Sequence, residues 1–368
     1  MTNNYSVISV GKAVSILTDL YGKAIKTKTP FNDIPSVMLW GPPGVGKSQG
    51  VKEVAANLEK ETGKKVNVTD VRLILFNPID LRGIPTSNAD KTLAVWLKPK
   101  IFQMDDSPDN VNILFLDEIS AAPQTVQAAA YQITLDRIIG EHRLPDNCLV
   151  IAAGNRVTDK SVAYKMPKAL ANRLMHFEIE GSFTSWRDWA VLNNINQKVI
   201  SYLSCRNDRL FRFDVSSEEL AFPTPRSWEM VSKVLNLTGG DEKAAKPLIS
   251  GLIGSGDTLE FLSWCNVYND YPSVEGIFRG TEFTVPKGTD TLYALVYGMA
   301  AYAREHLAEK SAIGNSLRYA AKMPYDFAKL LILTYKASGN GDMERYLLSI
   351  PDYSNLMKKM GEMTNGYH

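Results

Sequence analysis

Cysteine and histidine are scarce in this sequence, with three Cys and four His in 368 residues. Cys148, Cys205 and Cys265 lie far apart and form no Cys-x-x-Cys pair. An odd count at such spacing is no disulfide framework and reads as reduced, buried thiols in a cytosolic protein. His142, His176, His306 and His368 show no metal-ligand spacing. An excess of one charge is also missing. Lys and Arg total 41 and Asp and Glu 40, a net +1. That balance removes any global electrostatic reason to bind nucleic acid or an anionic membrane, and leaves only a local basic groove open. Long apolar runs are absent as well. The most apolar late stretch, Thr291 to Ala303, has about 13 residues where a membrane span needs about 20. Met1-Thr2-Asn3-Asn4-Tyr5 lacks the basic-then-apolar layout of a secretory leader. The expectation is a cytoplasmic protein with no membrane association.

What remains is an ordinary globular composition, 45% hydrophobic and 22% charged, able to bury a sizeable core. The length favours two or three domains. There is no repeat and no low-complexity tract. The first 180 or so residues alternate short apolar runs with helical patterns, which predicts a parallel sheet covered by helices. Strands are expected at Val37–Trp40, Leu73–Phe76, Ile113–Leu116, Leu149–Ala152 and near Leu174–Ile179, giving a five-stranded sheet. A helix starts at about Lys47, with Val51, Val54, Ala55 and Leu58 on one face. Another contains Val126, Ala130 and Ile133, with Pro123 in its first turn. Gly83 to Pro108 breaks the rhythm as a long connection of the kind that is usually functional or mobile, and Arg137 to Pro145 has the look of a hairpin. After about Glu180 helical patterns dominate, among them 186–203, 227–237, 292–307 and 317–335. The expected divisions are an α/β domain over 1–181, a helical lid over 182–275 and a helical extension over 276–368.

Gly41-Pro42-Pro43-Gly44-Val45-Gly46-Lys47-Ser48 matches G-x-x-x-x-G-K-[ST] between an apolar strand and an amphipathic helix. The glycines let the backbone approach phosphate oxygens, and N–H groups from Gly44 through Ser48 can point at a β-phosphate. Lys47 would neutralise the β- and γ-phosphates, and the Ser48 hydroxyl can ligate Mg²⁺. Ile113-Leu114-Phe115-Leu116 ends in Asp117-Glu118. A carboxylate there helps to hold the cation, a role assigned to Asp117, and Glu118 is the candidate base or water-orienting group. Asn155, after the fourth strand, can bond the γ-phosphate or the water. Arg173, which closes a helical segment over 167–172, and Arg226 gain a role only if they reach a phosphate; otherwise such arginines are solvated or snorkelling.

The P-loop, the strand ending in Asp-Glu, the Asn after the next strand and the trailing Pro225-Arg226 together resemble an AAA+ ATPase, and more narrowly the MoxR-like branch. Asp80-Leu81-Arg82-Gly83 resembles that branch's entry to an insert in the second helix. Glu141-His142-Arg143-Leu144-Pro145-Asp146-Asn147 resembles its hairpin before the fourth strand. The resemblance covers roughly residues 35 to 235. It implies a P-loop AAA+ core with a helical lid, ATP and Mg²⁺ as ligands, and a homo-oligomeric ring, typically a hexamer. Asn155 becomes the first sensor, Arg226 the second, and Arg173 the arginine finger that completes a neighbour's site, with Arg156 a rival. Asn77 is placed like the polar residue that restrains the catalytic Glu. Such proteins remodel or mature protein partners, often a separate chain with a von Willebrand factor A domain; no Asp-x-Ser-x-Ser site of that domain lies in residues 236–368.

A second reading is a nucleic-acid-dependent motor or McrB-like subunit. Lys91, Lys98 and Lys100 around Trp96 could line a nucleic-acid channel. Asp90, Asp105, Asp106 and Asp109 offset that charge, so nucleic acid is the weaker expectation. A third reading, a non-hydrolysing switch, needs a damaged site, whereas Lys47, Ser48, Asp117 and Glu118 are all present. Trp96 and its loop, Thr92 to Lys100, either contact a client or anchor the insert on the sheet.

Overall fold

Two runs of the sequence are apolar at nearly every position, and both become central strands. In a computed structural model, Asn110–Asp117 is buried throughout Val111–Leu116, and Cys148–Gly154 is buried at every residue. The structure describes residues 6–156, 166, 171–212, 219–268, 272–306, 309–337 and 342–365. The chain divides into two compact units, Met1–Ser182 and Phe183–His368.

Among the described residues the first unit is a parallel sheet of six strands: β1 (Val7–Ser9), β2 (Val37–Trp40), β3 (Lys65–Arg72), β6 (Asn110–Asp117), β9 (Cys148–Gly154) and β10 (Met175–Glu180). They lie in the order β1-β10-β2-β9-β6-β3. Two short antiparallel hairpins accompany it, β4 (Ile84–Ser87) with β5 (Ala94–Leu97), and β7 (Ile138–Ile139) with β8 (His142–Arg143). Alternate residues of each strand face opposite sides. Val37, Leu39, Ile113, Phe115, Leu149 and Ile151 pack beneath α1 (Val10–Thr27) and α2 (Lys47–Thr62). Met38, Leu114, Leu116, Val150 and Ala152 pack against Val126, Ala130 and Ile133 of α4 (Gln124–Asp136). Helices therefore cover both faces, as a parallel sheet requires. Ser9 caps α1 by accepting the Lys12 N–H, and Gly63 ends α2 in the left-handed conformation.

The structure corrects three expectations. The sheet has six strands, because Val7–Ser9 adds an edge strand too short to leave a pattern. The second expected strand, Leu73–Phe76, is not one. Leu73–Leu75 is a 3-10 turn with Leu73 buried and Leu75 74% exposed. The strand is the preceding Lys65–Arg72, which lies at the sheet edge and so carries polar residues. The insert is anchored by Phe102, 0% exposed in the core under α4, and not by Trp96, which is half-buried. Gly83 holds the hairpin's entry at φ +93°, where a Cβ would come 2.0 Å from the Leu97 carbonyl oxygen.

The second unit is helical among its described residues. Trp186, Tyr202, Trp228, Phe261 and Trp264 form one core, and Ile277, Phe278, Ile313, Leu317, Leu331 and Tyr335 belong to a second. The helix Thr289–Glu305 serves both, with Ala294 and Tyr297 in the first and Leu295, Val296 and Met299 in the second. The expected helices at 186–203 and 317–335 are each broken in two, at Asn193–Asn196 and before Pro324. The helical segment expected over 167–172 lies largely outside the described residues. The three cysteines are free, and burial pushes each thiol up to about 12. Among the described residues no helix is long and apolar enough to cross a membrane.

If Phe102 is the anchor, Phe102→Ala should cost about 3–5 kcal/mol by chemical denaturation and open the 83–101 segment to proteolysis. Trp96→Ala should cost clearly less. Equal losses would return the anchor to Trp96.

Candidate active site

Strand β2 stops at Trp40, and the chain crosses the Gly41–Gly46 loop into α2. Gly44 and Gly46 take φ of 77° and 106°, a region that side chains disfavour. Gly41 has no room for more: a Cβ would meet the Ile179 carbonyl oxygen at 2.5 Å. Gly46 caps α2 without a side chain. The first N–H groups of a helix have no intrahelical acceptor and, with the macrodipole, favour an anion at this end.

Lys47 is 9% exposed. Its ammonium donates to the Gly41 and Pro42 carbonyls at 2.6 and 3.0 Å and to Asn155 Oδ1 at 3.2 Å. Pro43 and Val45 complete the loop, with Val45 buried in the α1–α2 core. Ser48 Oγ donates to Asp117 Oδ2 at 2.7 Å. The loop is thereby joined to the ends of β9 and β6, which the sheet order places successively beside β2. Two oxygens this close suit a hard divalent cation. Among the described residues no group of three or more His, Cys, Asp or Glu could hold a metal, so any cation here would lean on ligand oxygens.

Glu118 follows Asp117 with φ 58°, the left-handed region that a non-glycine residue enters at a cost. The turn is fixed on both sides. Its N–H donates to Asp117 Oδ1 at 2.9 Å, and the Ile119 N–H donates to the Ala153 carbonyl at 3.0 Å. Asn155 is held likewise, its N–H donating to Ser120 Oγ at 2.9 Å. Ser120 thus bridges the two strand ends, a function with no signal in the sequence. Asp70 is not singled out by the sequence either. It lies on β3 opposite Phe115, and burial, then the Asp117 charge, raises its pKa.

The remaining expected residues are more dispersed. Asn77 does not end a strand. It caps the short helix α3 (Pro78–Arg82), its N–H donating to Asp80 Oδ2 at 2.8 Å, and it is exposed. Arg156 is paired with Glu178 of β10. Arg173 is exposed, just ahead of β10. Met175 is in register with Val37, whereas the loop begins after Trp40, so Arg173 stands about 10 Å or more from its own loop along the strand direction. Arg226 is in the second unit, exposed at the start of the helix Pro225–Leu237, which Thr224 caps. Lys91 sits in the β4–β5 turn, and the Trp96 carbonyl bonds His142 Nε2 at 2.7 Å.

The Gly41 contact makes a direct prediction. Gly41→Ala must push the loop or β10 aside, so binding of a fluorescent nucleoside triphosphate should fall at least about tenfold, equivalent to about 1.4 kcal/mol. Unchanged affinity in a titration would show that the close approach does not shape the loop.

The site agrees with what sequence comparison finds. Residues 36–176 match the family described as ATPase family associated with various cellular activities, AAA. No curated protein matches significantly. Among solved structures, a candidate ATPase of Cytophaga hutchinsonii is similar at 18% identity and TM-score 0.31, over 61% of this chain and 62% of that one. The chain thus spans less than two thirds of that protein's length. A point mutant of RuvB from Thermotoga maritima is similar at 15% identity and TM-score 0.35, over 80% and 85% of the two chains. At such scores neither likeness adds to the family match. Residues 36–176, with the loop, the Asp117–Glu118 strand end and Asn155 inside them, are thus similar to the AAA ATPase domain, a family whose chemistry is ATP hydrolysis.

Proposed function

We propose that the protein is a MoxR-like ATPase which hydrolyses Mg-ATP in a ring of its own copies and uses the turnover to remodel or mature a separate protein partner. The observation that carries the hydrolysis is the meeting of Lys47 with Asn155 and of Ser48 with Asp117 at one sheet edge. Ser48 and Asp117 would hold Mg²⁺, a cation that keeps water and phosphate oxygens in most of its shell and screens the phosphate charge. Glu118 orients or deprotonates the attacking water, and the strained turn holds it there. Asn155 senses the γ-phosphate. In this reading Asn77 restrains Glu118, Arg226 is the second sensor, and residues 182–275 act as a lid, with 276–368 an extension of it.

The position of Arg173 supports the ring. It is exposed and distant from its own loop, as an arginine that serves a neighbour's site must be. A hexamer is the ring size the resemblance favours. The surface beside the insert supports a protein client. Leu75, Ile79, Ile84 and Leu97, each more than half exposed, line a cleft of about 470 Å³ with Lys98 and Lys100. Exposed apolar surface of this kind marks protein contacts more than a nucleic-acid channel. A partner bearing a von Willebrand factor A domain would have to be a separate chain. The cytoplasm is the proposed location.

Glu118→Gln should bind ATP and lose at least about a hundredfold in turnover, the scale of general-base loss. Turnover at the wild-type rate would remove Glu118 from the mechanism. The same variant, loaded with ATP, should retain one partner protein in a pull-down from the native host. Nucleic acid retained in its place would install the motor reading. Arg173→Ala should lower turnover of the assembled protein by about 10³-fold or more, as for other trans-acting arginines. Full activity in steady-state assays would refute that assignment.

A further inference from the structure

We infer that His176 is a positioning residue which ties the turn presenting Arg173 to the strand end where the P-loop begins. The inference rests on the reading of Arg173 as an arginine acting on a neighbouring copy. Trp40, the residue before Gly41, donates from Nε1 to His176 Nδ1 at 2.9 Å. An indole nitrogen can only donate, so Nδ1 accepts, and the neutral imidazole carries its hydrogen on Nε2. Nε2 lies 2.6 Å from the Ala171 carbonyl oxygen and donates to it. The same carbonyl accepts the Leu174 N–H at 3.3 Å. Arg173 lies inside the turn these bonds close. The Trp40 and His176 rings are nearly parallel, 10° apart with centroids at 6.2 Å.

The physical need is for placement. Arg173 is exposed, whereas Leu174 beside it is buried. A long exposed side chain gains precision only from its backbone, and a misplacement of about 1 Å can cost about a hundredfold in rate. The strand β10 fixes the chain from Met175 onward. The turn before it is fixed by the imidazole. The fixed tautomer makes glutamine a faithful replacement, because its amide can accept from Trp40 with Oε1 and donate to Ala171 with Nε2. Alanine can do neither.

Mixing experiments separate this role from a structural one. Arg173→Ala chains keep an intact site, and Glu118→Gln chains keep an intact arginine. Together they should recover turnover that neither shows alone. If Arg173→Ala is fully active by itself, the reading of Arg173 fails, whatever His176 does. If recovery is seen, the Glu118→Gln partner is given His176→Ala or His176→Gln as a second change. The alanine partner should restore about tenfold less turnover, or lower still, and the glutamine partner should restore it fully. Equal restoration by the alanine partner overturns the proposal. The single variant His176→Ala, in an otherwise intact chain, should bind ATP with unchanged affinity and melt cooperatively. Loss of either would make His176 a core residue and overturn the proposal too.

Discussion

The rest of this protein's chemistry depends on one constraint: three adjacent parallel strands must end together. Strand β2 delivers the phosphate loop, β9 delivers Asn155 and β6 delivers Asp117 and Glu118. Because β9 and β6 follow β2 in the sheet, Lys47 reaches Asn155 and Ser48 reaches Asp117. Parallel pairing is what allows this. It points every strand the same way, so loops and helix N-termini gather at one edge, where ligands bind in open α/β sheets. The packing on both faces keeps that edge rigid. Alternate residues of each strand feed the cores under α1 and α2 and under α4, so no strand can slip by one position without turning its apolar side outward.

Rigidity also has to absorb strain. Glu118 occupies a left-handed conformation that its side chain disfavours, and the bonds of its own N–H and of Ile119 maintain it. Ser120, two residues on, takes the Asn155 N–H. The candidate base and the candidate sensor are therefore set by one short turn, which reconciles a costly backbone with a fixed geometry. On the other side of the loop, β10 carries His176 toward Trp40 and Glu178 toward Arg156. Side chains of a single strand thus serve both neighbours of the loop.

Much of this was legible in the residues. Four of the six strands showed in the residues, three of them, β2, β6 and β9, as apolar runs, because central strands are buried on both faces. The glycine loop, Asp117-Glu118 and Asn155 were legible because phosphate chemistry demands those residue types at strand ends. The edge strands were not. Lys65–Arg72 is half exposed and polar, and its signal was taken over by the apolar Leu73–Phe76 that follows. Val7–Ser9 is too short to carry a period. Asn77 was misplaced with its strand. Phe102 gave no sign that it anchors the insert, since an isolated aromatic in a polar loop looks the same whether it is buried or not.

The sequence by itself determined the nature of the site: a loop for phosphates, an acid pair at a strand end and a polar residue at the next. Backbone freedom, charge and hydrogen-bonding capacity are local properties, and they are written residue by residue. Only the tertiary structure decided which distant residues meet. That Ser120 holds Asn155, that Trp40 bonds His176, and that Arg173 stands away from its own loop all follow from strand order and register. Those are settled by the burial of the whole sheet, a cooperative property that no short segment carries.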